Sequence, residues 1–282
     1  MERYIKRYWP IFLLPTLLAF LIGFLIPFFM GLYLSFCQFT TVSNATFVGF
    51  SNYIQAFSFG SGEFVHSLWY TSLFTIISTV LINLFGLTLA IFLVRGFRGT
   101  NLFRTVFFMP NLIGGIVLGW LWQVILNGVL VNFNATLVLN EWYGFSGLLI
   151  VMLWQQAGYM MIIYISGLQS IPNDLIEAAS IDGATSWQTL RYIKLPMLMP
   201  SITICSFLTI TNGFKLFDQN LALTNGAPSN KSSLLALNIF DTFYGRTGWE
   251  GVGQAKAVVF CIIVIVIALI QLKLTQQKEV QQ

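Results

Sequence analysis

The chain has 282 residues, of which 56% are hydrophobic, 16% aromatic and only 9% charged. This composition excludes an ordinary soluble protein and indicates a chain that lies in a lipid bilayer. The formal net charge of +4 does not indicate nucleic-acid binding, because the 14 Lys and Arg residues are scattered at the ends of apolar runs rather than clustered on one face.

Six apolar runs are long enough to cross a bilayer as helices, since a crossing needs about 20 residues. They cover about residues 10–36, 67–94, 103–126, 147–169, 197–217 and 255–273. Backbone groups inside hydrocarbon need hydrogen bonds within the protein, so each run predicts a helix. Pro110 interrupts the third run and Pro200 lies in the fifth, which makes these two the weakest. We predict an all-α, polytopic membrane protein with six transmembrane helices in one domain over residues 1–282.

The first run resembles a secretory signal peptide at its start, where Arg3, Lys6 and Arg7 precede apolar residues. It stays apolar from Trp9 to Phe36, which is too long for a signal peptide, and no small-residue cleavage site interrupts it. We therefore expect a retained first span.

The distribution of positive charge predicts the orientation, because cytoplasmic loops of membrane proteins accumulate Lys and Arg. One side of the predicted topology carries ten of these residues: Arg3, Lys6, Arg7, Arg95, Arg98, Arg104, Arg191, Lys194, Lys273 and Lys278. The other side carries four, namely Lys215, Lys231, Arg246 and Lys256. Both termini and the loop of residues 170–196 are thus predicted to be cytoplasmic.

The loop of residues 170–196 is polar and predicts a helical hairpin. Asp174 followed three residues later by Glu177 resembles a capping box that opens a short helix. Gly183 predicts the turn that ends this helix, because glycine adopts positive φ without steric cost. An amphipathic second helix follows, and Pro196 suits the first turn of the next helix.

The same loop resembles the cytoplasmic EAA loop of ABC-importer membrane subunits, whose pattern is E-A-A, three residues, G, about nine residues, then I-x-L-P. The resemblance implies the type I ABC importer transmembrane fold and a short helix that docks into a cleft on an ATP-hydrolysing subunit, with Glu177 as a polar anchor. The coupling residues that it implies are Glu177, Ala178, Ala179, Asp182, Gly183, Ile193, Leu195 and Pro196.

Two further stretches resemble the carbohydrate-importer permeases of the maltose, glycerol-phosphate and multiple-sugar type, in particular the branch that pairs with a second, non-identical permease. Residues 47–53 match its F-V-G-x-x-N-Y pattern and residues 103–110 its F-R-x-x-F-F-x-P pattern. The resemblance implies a place in the bacterial cytoplasmic membrane. It also implies four kinds of partner: the second permease, two ATPase copies, an extracytoplasmic solute-binding protein and a sugar substrate.

Polar residues within the fourth and fifth runs are candidates for the substrate path. Gln155, Gln156 and Asn212 place amides in hydrocarbon, where they need protein, water or a ligand. Amides of this kind also join helices to one another, so that reading stays open, and it is the one we expect for Asn83 in the second run. In related sugar permeases the contact positions correspond to Met152, Gln156, Tyr159, Thr209, Asn212, Gly213 and Leu216.

The sequence contains no motif for catalysis. The residues before Lys231 and Ser232 lack the glycines of a phosphate-binding loop, and the single histidine, His66, cannot build a metal or hydrolase site alone. We therefore expect no enzyme activity, no metal and no cofactor in this chain, with ATP and Mg²⁺ bound by the partner ATPase. Alternatives left open are an importer permease for a phosphate ester or amino acid, a secondary carrier, and an intramembrane enzyme.

Overall fold

A computed structural model of the protein describes residue 11 and residues 13–58 and 62–276. Arg3, Lys6, Arg7, Lys278 and the predicted start of the first span lie outside the described residues. The chain divides into two compact units. The first comprises the described residues up to Gly62 together with Ile239–Cys261, and the second comprises Glu63–Asn238 together with the described residues from Ile262 onward.

The described residues fold almost entirely into helices, as the apolar runs predict. The helices are α1 (Leu13–Leu34), α2 (Ser51–Ser58), α3 (Glu63–Leu93), α4 (Thr100–Phe108), α5 (Gly115–Leu130), α6 (Glu141–Gln169), α7 (Asn173–Ile181), α8 (Ser186–Met197), α9 (Met199–Phe214), α10 (Asp218–Leu223), α11 (Leu235–Gly245) and α12 (Glu250–Gln276). Short 3₁₀ turns cover Val42–Asn44, Met109–Leu112 and Val131–Phe133, and π turns lie within α1 at Leu21–Leu25 and within α8 at Leu190–Lys194. Strands β1 (Cys37–Gln38) and β2 (Thr46–Phe47) pair antiparallel, with Cys37 opposite Phe47.

Five helices of the described chain are long and apolar enough to cross a bilayer, and six if a bent pair is taken as one span. The five are Leu13–Leu34, Glu63–Leu93, Gly115–Phe133, Glu141–Gln169 and Glu250–Thr275. The bent pair is α8 and α9, whose axes differ by 69° at Leu198. Pro200 lies in the first turn of α9, where its missing N–H costs no helical hydrogen bond.

The third span differs from its predicted bounds of 103–126. Helix α4 ends at Phe108, a 3₁₀ turn contains Pro110, and the helix that is long enough to cross begins only at Gly115. Pro110 cannot donate a backbone hydrogen bond, and Gly114 takes an extended ψ of 139°, so the apolar run is broken although its composition is continuous. Residues 103–108 thus belong to a separate helix.

Helix α6 is the centre of the second unit, and 61% of its most apolar stretch is buried. Glycines let three neighbours approach it closely. Gly158 contacts the backbone carbonyl of Phe107, and a Cβ at Gly167 would lie 2.9 Å from Leu198 Cδ2. Gly86 of α3 lies against Met160 in the same way. Polar side chains on α6 are therefore held at fixed positions.

In the first unit, Asn52 holds helix α2 to the β1 segment. Its Nδ2 donates to the carbonyl oxygens of Ser35 at 2.9 Å and Cys37 at 2.8 Å. Next to it, the Tyr53 hydroxyl lies 2.7 Å from Ser35 Oγ. Asn52 and Tyr53 of the F-V-G-x-x-N-Y stretch thus stabilise the packing of α2 against the preceding segment.

Candidate functional site

The first helix of the hairpin, α7, begins at Asn173 directly after Pro172. The predicted capping box of Asp174 and Glu177 is wrong, because the helix starts one residue before Asp174 and no side chain caps it. Pro172 occupies the cap position and has no hydrogen-bonding side chain. Asp174 instead lies in the first turn, where its negative charge interacts favourably with the positive end of the helix dipole.

Gly183 makes the turn, as predicted. It has a φ of +76°, its N–H donates to the Ser180 carbonyl at 3.1 Å, and the Ala184 N–H reaches back to the Ala179 carbonyl at 2.9 Å. This pair of bonds is a Schellman motif, which satisfies carbonyls left free at the helix end. The hairpin therefore turns through its own backbone bonds.

The second helix, α8, has the capping box that the sequence placed on the first. Thr185 accepts a hydrogen bond from the Gln188 N–H at 3.3 Å, and the Gln188 side chain accepts from the Thr185 N–H at 2.8 Å. The Leu190–Lys194 π turn precedes Pro196, which offers no N–H to continue a regular α-helical ladder.

The hairpin presents apolar side chains outward. Ile181 is 86% exposed, Tyr192 70% and Trp187 64%. Of the implied coupling residues, Glu177, Ala178, Asp182 and Gly183 are exposed, Ile193, Leu195 and Pro196 are half-buried, and Ala179 is buried at 8% exposure. Ile181 and Tyr192 were not among the contact residues expected from the sequence. Their signal was that they are apolar residues in a polar segment between two spans.

A polar cavity of about 300 Å³ lies where α6 meets the end of α9 and the start of α10. Two amide pairs line it. Asn212 Nδ2 donates to Gln156 Oε1 at 3.2 Å, and Gln219 Nε2 donates to Gln155 Oε1 at 2.7 Å. Gln155 Nε2 in turn donates to the carbonyl oxygen of Ile113 at 3.2 Å. These bonds orient the amides toward one shared space.

Three of the seven predicted path residues, Gln156, Asn212 and Leu216, line this cavity. The other four have different surroundings: Met152 is fully buried, the Tyr159 ring packs at a tilt against Phe108, Thr209 accepts from Asn83 at 3.0 Å, and Gly213 lies against Thr75. Gln155, whose amide was also a candidate from the sequence, lines the cavity as well, and the lining residues that the prediction left out are Asn111, Lys215, Phe217, Asp218 and Gln219.

Asn83 joins helices, as predicted. Its Nδ2 bonds to Thr209 on α9, and its Oδ1 accepts from the Tyr164 hydroxyl on α6 at 2.6 Å. One amide therefore ties α3 to both cavity helices.

The cavity carries one positive and one negative side chain at its rim, Lys215 and Asp218, both exposed. Neither forms an ion pair within 4.0 Å with another described residue. Among the residues that the structure describes, no three His, Cys, Asp or Glu side chains come together as metal ligands.

The sequence profile of a protein family, "Binding-protein-dependent transport system inner membrane component", matches residues 82–277, which include the hairpin and the cavity. The chain belongs to this family. As an inner membrane component of a transport system it lies in the membrane, and its family is one of transport subunits.

Curated relatives of this inner membrane component align over 83–99% of its length. A probable starch degradation products transport system permease protein from Thermoanaerobacterium thermosulfurigenes is 43% identical over 97% of this chain and 95% of the relative. A multiple sugar-binding transport system permease protein from Streptococcus mutans is 31% identical over 99% of each chain. A trehalose/maltose transport system permease protein from Thermococcus litoralis is 28% identical over 83% of this chain and 81% of the relative.

Solved structures have the same fold. A chain of a bacterial ABC transporter involved in the import of the acidic polysaccharide alginate superposes with a TM-score of 0.83 over 98% of both chains, at 20% identity. The chain thus has the architecture of an ABC-importer membrane subunit of type I, which agrees with the fold expected from the EAA-like loop.

Proposed function

We propose that this inner membrane component translocates a sugar or oligosaccharide across the cytoplasmic membrane, driven by ATP hydrolysis in a partner subunit. The observation that carries the proposal is a cavity lined by neutral amides in a chain whose aligned relatives are named for starch products, multiple sugars and trehalose or maltose. The count of ten Lys and Arg against four supports cytoplasmic termini and a cytoplasmic hairpin.

The cavity offers what a sugar needs. Sugar hydroxyls both donate and accept hydrogen bonds, and each side-chain amide does the same. Gln156 Nε2 and Asn212 Oδ1 form no hydrogen bond with another described residue, so one donor and one acceptor remain for a ligand. Phe217 adds an aromatic face for the apolar side of a sugar ring. The single Lys and Asp at the rim balance in charge, which favours a neutral solute over a phosphate ester.

The hairpin is placed to move the cavity helices. It follows α6 after three residues and continues into α9 at the Leu198 bend, and these helices carry Gln156 and Asn212. Gly167 lets α6 and α9 touch at the base of the hairpin, next to Leu198 and Ser201. A push on the hairpin would therefore displace both walls of the cavity together.

The partner ATPase would contact the exposed side of the hairpin, with Glu177 as a polar anchor and Ile181 and Tyr192 as apolar contacts. Exposed apolar residues outside the bilayer are stabilised when another protein covers them. The ATPase, in two copies, would bind ATP and Mg²⁺, since this chain carries no glycine-rich phosphate loop.

Two further partners complete the proposal, a second non-identical permease and an extracytoplasmic solute-binding protein. The most apolar stretches of α1 and α12 are each only 6% buried within this chain. Their apolar surface is therefore left for lipid and for another membrane subunit.

One experiment in the native cells, with an affinity-tagged chain, tests the coupling to the ATPase and the transported substrate separately. Ile181→Asp should abolish co-purification of the ATPase and the ATP hydrolysis of the captured complex. Asn212→Leu should keep both and reduce uptake of labelled maltodextrin by about tenfold, the effect of one lost hydrogen bond with its buried partner left unpaired.

Matched controls are Leu139→Asp, on an apolar residue 61% exposed outside the hairpin, and Thr211→Val, whose hydroxyl bonds only within α9 to Phe207. Both should retain uptake. Uptake of an amino acid or glycerol phosphate in place of maltodextrin would contradict the sugar assignment, and retained ATPase in Ile181→Asp would contradict the coupling assignment.

A further inference from the structure

A second cavity, a groove of about 430 Å³, lies on the inner side of the hairpin, away from the polar cavity. It lies between the ends of α3 and α6 and the two hairpin helices, α7 and α8. Its lining includes Val94, Arg95, Leu168, Ile176, Trp187 and Lys194. Its volume lies within the range of about 300–1,000 Å³ that is usual for small-molecule sites.

The groove has a cationic lining. Arg95 and Lys194 line it together, and none of the lining residues is acidic. Neither cation forms an ion pair with another residue that the structure describes. Ser180 and Ser186 also line the groove, and their hydroxyl groups can donate hydrogen bonds. An anion in the groove would thus gain two positive charges and two hydroxyl donors.

Apart from Thr189, the rest of the lining is apolar, from Ile91 and Val94 at the end of α3 to Leu168 on α6 and Leu190 on α8. Arg95 lies two residues beyond the end of α3, and Leu168 is one residue before the end of α6. The groove is therefore at the level where spans leave hydrocarbon, which is the level of lipid headgroups. Basic pockets between spans at this level bind anionic headgroups.

We propose that this groove binds one anionic phospholipid, with its phosphodiester between Arg95 and Lys194 and the first carbons of its acyl chains along Val94 and Leu168. The apolar half of the groove selects a lipid over a free phosphate ion. Ile176 belongs to α7 and Lys194 to α8, so the lipid contacts both arms of the hairpin and both adjoining spans. Its binding stabilises the hairpin in its place against the ends of α3 and α6.

Native mass spectrometry and vesicle binding on the purified full chain test the proposal, with phosphatidylglycerol and phosphatidylcholine as probes. Arg95→Gln with Lys194→Gln should weaken phosphatidylglycerol binding about 30-fold, since each basic residue near the headgroups contributes about a factor of five in affinity. Phosphatidylcholine binding should not change. Lys194→Gln alone should give an intermediate loss, which keeps the test valid if the double variant folds poorly.

The matched control is Arg98→Gln with Lys273→Gln, which removes the same charge on the same side from two exposed residues outside the groove. It should change phosphatidylglycerol binding less than about twofold. Equal losses in the two double variants would overturn the proposal and indicate a diffuse surface charge. If inorganic phosphate or glycerol phosphate bound the purified chain as strongly as phosphatidylglycerol does, the proposal would be overturned and a soluble ligand indicated.

If Arg95→Gln with Lys194→Gln kept phosphatidylglycerol binding but no longer co-purified with the ATPase, the lipid proposal would be overturned and a protein contact indicated. Lipid binding is measured without substrate or nucleotide, so this test is independent of the proposed transport function.

Discussion

The hairpin of α7 and α8 and the central helix α6 differ in what holds each of them. Helix α6 is buried among α3, α4 and α9, and close contacts at Gly158, at Gly167 and at Gly86 of α3 hold it there. The hairpin is held by its own caps at Gly183 and Thr185, and it leaves Ile181, Trp187 and Tyr192 exposed. Substitutions in α6 should therefore act on the stability of the chain, and substitutions on the hairpin on its contacts with other molecules.

The largest effect is expected at Gly158, where α6 touches the carbonyl of Phe107. Gly158→Leu forces these backbones apart and should lower the free energy of unfolding by about 3 kcal/mol or more. Thermal unfolding in detergent and the yield of monodisperse protein measure it. Gly128→Leu is the control, because no atom lies within 4 Å of a Cβ at that glycine, and it should have a small effect. Equal losses would contradict the central role of α6.

A smaller and local effect is expected at Gly183, where a Cβ would meet open space but φ is +76°. Gly183→Val should cost about 1–2 kcal/mol through the left-handed backbone alone. It should open the hairpin without lowering the thermal unfolding temperature of the spans. Hydrogen exchange at the Ala184 amide measures this, because that N–H bonds to the Ala179 carbonyl across the turn.

Gly183→Asn is the matched control, since asparagine tolerates the left-handed region, and it should retain protection of that amide. Gly183→Pro should be at least as severe as Gly183→Val, because it also removes the N–H that bonds to Ser180. A fall in unfolding temperature as large as for Gly158→Leu would contradict the separation of the two regions.

The smallest effect is expected at Asn83, whose hydrogen bond to Tyr164 joins α3 to α6. A double-mutant cycle of Asn83→Ala and Tyr164→Phe should give a coupling of about 0.6–1.7 kcal/mol, the range for hydrogen bonds between membrane helices. Thr88→Val is the control on the same helix, because its hydroxyl bonds only to the Leu84 carbonyl. A coupling near zero would show that the Tyr164 bond to Asn83 is replaced when it is lost.

The sequence predicted local features more accurately than distant ones. Apolar run length gave the all-α class, and Gly183 gave the hairpin turn, since both depend on neighbouring residues. The third span was placed too early because Pro110 and Gly114 break a run whose hydropathy continues. The capping box was assigned to Asp174 rather than Thr185, since both segments offer a suitable spacing and only the helix start distinguishes them.

By itself, the sequence determined that this chain crosses a membrane and carries a polar hairpin resembling an ABC-importer coupling loop, because hydrophobicity and turn chemistry are properties of short segments. Only the tertiary structure decided that Gln219 and Asn111 join Gln156 at one cavity, that Thr209 and Met152 do not, and that Ala179 is buried. Those facts depend on how helices distant in sequence approach one another, and glycine contacts such as Gly158 with Phe107 set that approach.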